Sequence, residues 1–238
     1  MKIALIGYGK MGQTIEKLAQ SRGHEIQAIY SSKNPFDASL LKNIDVAIEF
    51  SRPELVLSHI RHALKLNLPL VVGTTGWNQH LKEVQSMVTE QHGSILYASN
   101  FSLGVHIFNK LCEQLSRILA DQYQYALRIE EIHHTEKLDS PSGTAISLAE
   151  CVIAQHPSFE TWEETETIKP GVLPIKALRI PNVPGTHSLC ASSEADSITL
   201  THKAHNREGF ALGAILAAEF LIGKQGLFTM DHVINFTH

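Results

Sequence analysis

The sequence predicts an α/β protein: a doubly wound parallel sheet at the N-terminus, joined to a second, α+β domain. Two observations carry this. From Met1 to Phe101, short apolar runs alternate with helical patterns, the order expected of right-handed βαβ crossovers with helices on both sheet faces. Beyond Phe101, strand-like runs follow one another with few helices between them, which suits a largely antiparallel or mixed sheet. The expected division is residues 1–101 with 208–238 as one domain and 102–207 as the other.

Each element has its local reason. Lys2–Ile6 reads as a buried strand and Met11–Arg22 as a helix stopped by Gly23. Glu25–Tyr30 and Asp45–Phe50 are the next strands, with Ser51 as candidate N-cap and Pro53 in the first turn of the helix that follows. Leu70–Val72 is a strand ending at Gly73, Asn78–Gln91 is helical, and Ser94–Ala98 is again a strand. In the second region Val105–Leu119 forms a long helix. It leads to Tyr123–Ile132, where Tyr125, Leu127, Ile129 and Glu131 alternate with other residues. Ile175–Ile180, His187–Ser193 and Ser197–His202 are further strands, and the Pro/Thr/Glu-rich stretch from His156 to Pro174 reads as a surface excursion. Gly209–Ile222 is an apolar helix expected to return to the first domain.

Composition narrows the classes. With 238 residues, 43% hydrophobic and 18% charged, the chain is globular rather than disordered. Lys plus Arg number 20 against 24 Asp plus Glu, and no basic stripe appears, so a nucleic-acid partner is not expected. Cys112, Cys151 and Cys190 form no CxxC pair and read as buried thiols of a reducing compartment. The apolar run before Gly7 is too short for a signal peptide, and no run of membrane-spanning length follows. A cytoplasmic protein without a membrane partner is expected.

Gly7-Tyr8-Gly9-Lys10-Met11-Gly12 is a GxGxxG between a strand and a helix. Gly7 allows the tight turn, Gly9 lets the backbone approach a pyrophosphate, and Gly12 lets helix and strand pack closely. This is the Rossmann-like arrangement, with the anion on the helix N-terminus. An NAD site usually places an acid at the end of the second strand to hold the ribose hydroxyls. Here Tyr30-Ser31-Ser32-Lys33 has none, and two hydroxyls with an ammonium suit a 2′-phosphate, with Lys10 and Arg52 as further cations nearby. NADPH is therefore expected over NADH. Gly73-Thr74-Thr75-Gly76 and Ala98-Ser99-Asn100-Phe101 each follow a strand, at the edge where such sheets take ligands.

A second cluster, Glu131-Ile132-His133-His134-Thr135-Glu136-Lys137, precedes Ser142-Gly143-Thr144 at a strand-to-helix junction. Ser142 is a natural N-cap, and the N–H groups at the helix start make a carboxylate or phosphate cradle. Two imidazoles and an ammonium beside it, in a chain with a hydride-carrier site, suggest reduction of a small polyanion coupled to protonation. Two surface histidines or a zinc site are the competing readings, but no third ligand stands at usual spacing, so no metal is expected.

These residues resemble the 4-hydroxy-tetrahydrodipicolinate reductase (dihydrodipicolinate reductase) family of lysine and diaminopimelate biosynthesis, along nearly the whole chain. The resemblance rests on the GxGxxG, Phe50-Ser51-Arg52-Pro53, Gly73-Thr74-Thr75-Gly76, Asn100-Phe101-Ser102-Leu103-Gly104-Val105 and His133-His134-x-x-Lys137…Ser142-Gly143-Thr144. It implies NAD(P)H-dependent reduction of a small cyclic dicarboxylate in a homotetramer. His133 is then the proton donor/acceptor, Lys137 a proton donor, and His134, Gly143 and Thr144 the substrate-carboxylate contacts. The glycine loop, Phe50, Arg52, Gly73 to Thr75 and Ala98 to Phe101 are the implied cofactor contacts. Where the family tends to place glycine two residues after Arg179, this sequence has Pro181, while Gly185 and His187 remain. Arg179 and His187 are given no chemical role, since a salt bridge or a strand position serves equally. Rival readings are a silent NADPH-binding regulator, a Rossmann reductase of another imine or aldehyde, and a zinc hydrolase using His133 and His134.

Overall fold

The computed structural model describes residues 1–234 apart from 35, 38–40 and 42. In chain order the elements begin β1 (Lys2–Ile6), α1 (Lys10–Ser21), β2 (Glu25–Tyr30), β3 (Val46–Glu49) and α2 (Pro53–Lys65). Next come β4 (Leu70–Val72), α3 (Leu81–Glu90, preceded by a 3₁₀ turn at Asn78–His80), β5 (Ser94–Tyr97) and α4 (Leu103–Leu119). The middle holds β6 (Ala126–His133), α5 (Gly143–Gln155), β7 (Phe159–Glu164), β8 (Gly171–Arg179), β9 (Thr186–Ser192) and β10 (Ser197–Lys203). The chain closes with α6 (Glu208–Leu221), β11 (Gly226–Phe228) and α7 (Met230–Ile234). It divides into two compact units, Met1–Leu103 with the segment from Arg207, and Gly104–Asn206.

The first unit is built on a six-stranded sheet in the order β11-β5-β4-β3-β1-β2, with every pair parallel. Central parallel strands must be apolar on both faces, and Ile3–Ile6, Val46–Ile48 and Leu70–Val72 are all buried. One face packs on α1, α6 and α7 through Ile15, Ala214 and Met230, the other on α2 and α3 through Val56, Ile60 and Val84. The sheet is doubly wound. The approach of α6 is close: a Cβ on Gly213 would lie 1.7 Å from the Phe101 carbonyl oxygen.

The second unit carries a mixed five-stranded sheet, β10-β9-β6-β8-β7. The β10, β9 and β6 ladder is antiparallel, and the β6, β8 and β7 ladder is parallel. Leu127 and Ile129 of β6, Leu173 and Ile175 of β8, and Leu189 and Ala191 of β9 form one buried face under α4 and α5. Among the described residues no helix is long and apolar enough to cross a membrane. The three cysteines are free, and burial pushes the Cys112 thiol up to about 12, which leaves it an inert core group.

Three local expectations change. Ser51 is not the cap of α2; Arg52 stands there without a side-chain bond. The Ser51 hydroxyl instead donates to the Glu49 carboxylate, and its N–H lies 3.1 Å from Glu49 Oε1. Glu49 is fully buried, and a buried charge needs donors more than an exposed helix end needs a cap. The stretch from His156 to Pro174 is not an excursion throughout but contains β7 and the start of β8. Phe159 and Trp162 pack against the core while Glu160 and Glu164 face out, the pattern of a guarded edge strand. Finally, β11 extends the first sheet by one parallel strand too short to show a period.

Candidate active site

In the first unit, the loop from β1 into α1 demands its glycines. Gly7 has φ +99°, and a Cβ there would lie 2.0 Å from the Phe50 carbonyl oxygen. A Cβ on Gly12 would lie 2.4 Å from the Gly7 carbonyl oxygen, so α1 seats directly on the loop. Gly9 differs: a Cβ there would meet nothing within 4 Å among the described residues. As the N-cap of α1 it offers no side chain to the first turn. An uncapped helix start beside open space fits a dinucleotide pyrophosphate. Tyr8 donates its hydroxyl to Glu16, Met11 packs on the core, and Lys10 is exposed.

Because the strands are parallel, the loops after β2, β3, β4 and β5 reach the same edge. After β2, Ser31 Oγ accepts the N–H groups of Lys33 and Asn34, both at 3.2 Å, which shapes a turn presenting exposed Ser32 and Lys33. No acid stands in Ser31–Lys33, and Arg52, exposed beyond β3, pairs with Glu54 at 3.3 Å. Gly73 faces the Phe50 ring, which a Cβ would approach to 2.1 Å. Thr74 Oγ1 accepts the Ser51 N–H at 2.7 Å, and Thr75 is exposed. After β5, Ala98 is half-buried, Ser99 is exposed, and Asn100 Oδ1 accepts the Ser102 N–H at 2.8 Å. The Phe101 side chain is only 2% exposed and packs on Phe50 with ring centroids 5.7 Å apart.

The second unit assembles its polar cluster through strand register. Glu131 and His133 are two apart on β6 and share the inward face with Leu127 and Ile129. Glu131 is paired across the ladder with His187 of β9, and His133 with Arg179 of β8. Paired residues present side chains on one face, so all four converge. Glu131 is fully buried, and its Oε1 accepts the Ser142 N–H at 3.0 Å and the Arg179 guanidinium at 3.2 and 3.3 Å. Its Oε2 lies 3.2 Å from His133 Nδ1 and 3.7 Å from His187 Nε2. Burial pushes the Glu131 carboxyl up, but contacts from His133 and Ser142 outweigh it and bring it down to about 2. Burial and the neighbouring His133 push His187 down to about 4, so this ring is neutral at physiological pH. The two imidazoles meet edge-on with centroids 5.0 Å apart. Gly185 makes room for them, since a Cβ there would sit 3.0 Å from His133 Nε2.

Adjacent His133 and His134 have different surroundings. His133 is buried, whereas His134 follows the end of the strand and pairs with Glu136 at 2.9 Å. Lys137 Nζ bonds both Asp139 oxygens, at 2.7 and 2.8 Å. Ser142 caps α5 by accepting the Ala145 N–H at 3.2 Å, and its hydroxyl also lies 3.2 Å from His187 Nε2, so it faces inward. Gly143 is exposed and Thr144 partly so; a Cβ on Gly143 would meet nothing within 4 Å, leaving the helix start open. Among the described residues, Glu131, His133 and His187 bring donor atoms within 4.8 Å of one another, close enough for a metal ion. The same carboxylate already carries the Arg179 guanidinium. Arg179 thus makes a salt bridge from a strand end, and Glu131 and His187 join the site unanticipated. The one signal for Glu131 in the sequence is its inward phase in the β6 alternation.

A family model described as dihydrodipicolinate reductase, N-terminus, matches residues 1–101, and its C-terminal counterpart matches residues 104–234. The chain belongs to the dihydrodipicolinate reductase family. It is 43% identical over 237 residues to 4-hydroxy-tetrahydrodipicolinate reductase of Christiangramia forsetii, covering 99% of this chain and 98% of that one. The Staphylococcus carnosus protein of the same name is 34% identical over 248 residues, covering 99% and 100%. Among solved structures, dipicolinate-bound dihydrodipicolinate reductase from Paenisporosarcina sp. TG-14 shares the fold, with a TM-score of 0.79 at 24% identity over 96% of this chain and 97% of that one. Amine dehydrogenase from Mycobacterium smegmatis shares the fold more loosely, with a TM-score of 0.61 at 9% identity over 97% and 95%. The architecture alone therefore does not select a substrate.

Proposed function

We propose that the protein is the NAD(P)H-dependent oxidoreductase that reduces 4-hydroxy-tetrahydrodipicolinate (dihydrodipicolinate) to tetrahydrodipicolinate in lysine and diaminopimelate biosynthesis. The observation that carries this is the tie between His133 and the open start of α5. One buried carboxylate, Glu131, holds the Ser142 N–H at 3.0 Å and faces the imidazole at 3.2 Å. A proton donor is thereby fixed beside a carboxylate cradle, within a chain whose family is named for reducing a dicarboxylate.

4-hydroxy-tetrahydrodipicolinate gives the dihydro form by losing its hydroxyl as water, and the dihydro and tetrahydro forms then differ by two hydrogens, one added as hydride and one as proton. The reduced nicotinamide, when bound, supplies the hydride. The chain does the rest. The N–H groups of Gly143 and Thr144 and the His134 side chain hold a substrate carboxylate at the helix N-terminus. His133 and Lys137 supply the proton that quenches negative charge spreading from the reduced carbon toward the ring nitrogen. The Lys137 ammonium holds Asp139 below the usual carboxylate range, so the carboxylate stays ionised and anchors the lysine at 2.7 Å. In the first unit the glycine loop takes the pyrophosphate, and Phe50, Gly73 to Thr75 and Ala98 to Phe101 flank the remainder. Ser32 and Lys33, with Ser31 shaping their turn and Lys10 and Arg52 as further cations, favour the 2′-phosphate of NADPH over NADH.

On this reading the first unit binds dinucleotide, and the second binds substrate and assembles a homotetramer in the cytoplasm. Light scattering should then give about 106 kDa, four times the chain mass of 26.4 kDa. The deciding experiment generates substrate in situ with dihydrodipicolinate synthase and follows nicotinamide absorbance. Synthase-dependent oxidation, faster with NADPH, is expected. Cofactor binding without oxidation of either nicotinamide would overturn the reading.

A further inference from the structure

Glu131 sits where a strand should place an apolar residue, and its surroundings exceed what a structural salt bridge needs. Oε1 alone satisfies the Ser142 N–H and the Arg179 guanidinium, which also bonds the Asp139 carbonyl at 2.7 Å. Among the described residues Oε2 has no well-aligned hydrogen bond, nor has His133 Nδ1, although the two atoms are 3.2 Å apart. A buried oxygen left open toward a ring nitrogen is costly. It becomes favourable when that nitrogen carries a proton. With Nδ1 enclosed against Glu131, Nε2 is the ring nitrogen that faces the Gly185 side, where the absent Cβ leaves it space.

We infer that Glu131 is the positioning residue of the proton-transfer step: its carboxylate fixes the His133 ring with Nε2 outward and places a negative charge 3.2 Å from Nδ1, which the Arg179 guanidinium on the same carboxylate partly offsets. This rests on the reading of His133 as a proton donor. In the step, the Nε2–H bond breaks and its proton goes to the carbon or nitrogen bearing the pair of electrons left by hydride addition. The new bond forms from that pair. His133 is left neutral with its Nδ1 proton toward Glu131, and Nε2 is reprotonated from water. The carboxylate itself does not gain the proton, the division of labour of the Ser-His-Asp triad.

The charged and titratable groups around the His133 ring come from every neighbouring element. Glu131 lies on its own strand, Arg179 on β8 and His187 on β9; His202 of β10, paired in register with His187, stands one strand further. Lys137 and Asp139 lie on the loop that follows β6. Of these, Glu131 is the nearest anion and the only one fully buried.

The test is the pH profile of kcat in the full enzyme with substrate generated in situ. Glu131→Gln keeps the shape and an acceptor for Ser142 but removes the charge. It should lower kcat by about 10-fold or more and move the alkaline limb to lower pH by about one unit, since losing a nearby opposite charge disfavours the protonated ring. Arg179→Gln, which frees the carboxylate, should move the same limb upward, and Glu131→Asp should leave it near its wild-type place. Opposed shifts from two partners of one salt bridge are something a purely structural role would not produce. A Glu131→Gln enzyme with lower kcat and an unmoved limb, or with wild-type kcat, overturns the inference. Should that variant not fold, an unmoved limb in Arg179→Gln overturns it alone. His133→Asn separates the two levels. If it keeps wild-type kcat, the reading of His133 itself falls; if it loses kcat while Glu131→Gln does not, only the positioning role falls.

Discussion

His187 should make the second unit sensitive to mild acid. In the folded chain, burial and then the charge of His133 bring this ring from 6.5 to about 4. A histidine whose folded value is depressed binds its proton more readily in the unfolded chain. Its contribution to stability is therefore present above pH 6.5 and drains away as pH falls toward 4. Integrating the linkage between those two values gives a loss of about 2 kcal/mol between pH 7.5 and pH 5, from this ring alone. His156 and His202 are pushed down by burial as well and act with the same sign, so the diagnostic quantity is a difference between proteins. Urea unfolding would be followed by the fluorescence of Trp162, the tryptophan of this unit, in a Trp77→Phe background at fixed protein concentration. His187→Gln should start less stable at pH 7.5, because the 3.2 Å contact with Ser142 changes. It should nevertheless lose about 2 kcal/mol less on going to pH 5. Equal losses in the two proteins would show that His187 is not held neutral in the fold, and the account of its burial would be wrong.

Four further outcomes follow from the site and its frame. Lys137→Ala should lower kcat about 100-fold or more with little change in cofactor KM; wild-type kinetics would remove Lys137 from the proton path. Lys33→Glu should raise the KM for NADPH about 10-fold while leaving NADH nearly unaffected, through loss of charge beside a 2′-phosphate, and equal effects on both cofactors would return Ser31–Lys33 to an ordinary loop. Dialysis against a chelator should leave turnover unchanged, because Arg179 already supplies the positive charge on Glu131; activity lost and then restored by zinc would make the Glu131, His133 and His187 cluster a metal centre. Gly213→Ala should lower the melting temperature by several degrees, since its Cβ would fall 1.7 Å from a backbone oxygen that cannot rotate away and such overpacking costs about 1–3 kcal/mol. An unchanged melting temperature would contradict the close seating of α6 on Phe101.

What could be read in the sequence was what is local. The strand, glycine turn and helix of residues 2–21 lie within a single βα unit and declare themselves by spacing, as does Ser142 at the start of α5. Ser51 misled because a cap signal of the same kind met a stronger demand two residues back, the buried carboxylate of Glu49. β11, three residues long, has no period to read, and the edge strand β7 hides among glutamates. The partners of Glu131 were beyond reach for a different reason. Arg179 lies 48 residues away and His187 56, and only the ladder of β6 between β8 and β9 brings them together.

The same ladder gives the two buried histidines of the site different surroundings. Leu127 and Ile129 fix which face of β6 turns inward, and that phase carries Glu131 and His133 to the strand's end on the same side. A slip of one residue would turn both outward along with the core, so packing and chemistry are specified together. Two imidazolium rings with centroids 5.0 Å apart, beside a guanidinium, would repel one another with a single carboxylate to share. Burial breaks the tie. His187 lies against Ser142 and is held neutral by burial, so its place is to fill and hydrogen-bond. His133 has the open oxygen of Glu131 on one side and the gap left by Gly185 on the other, the surroundings that the proposed proton-transfer role requires.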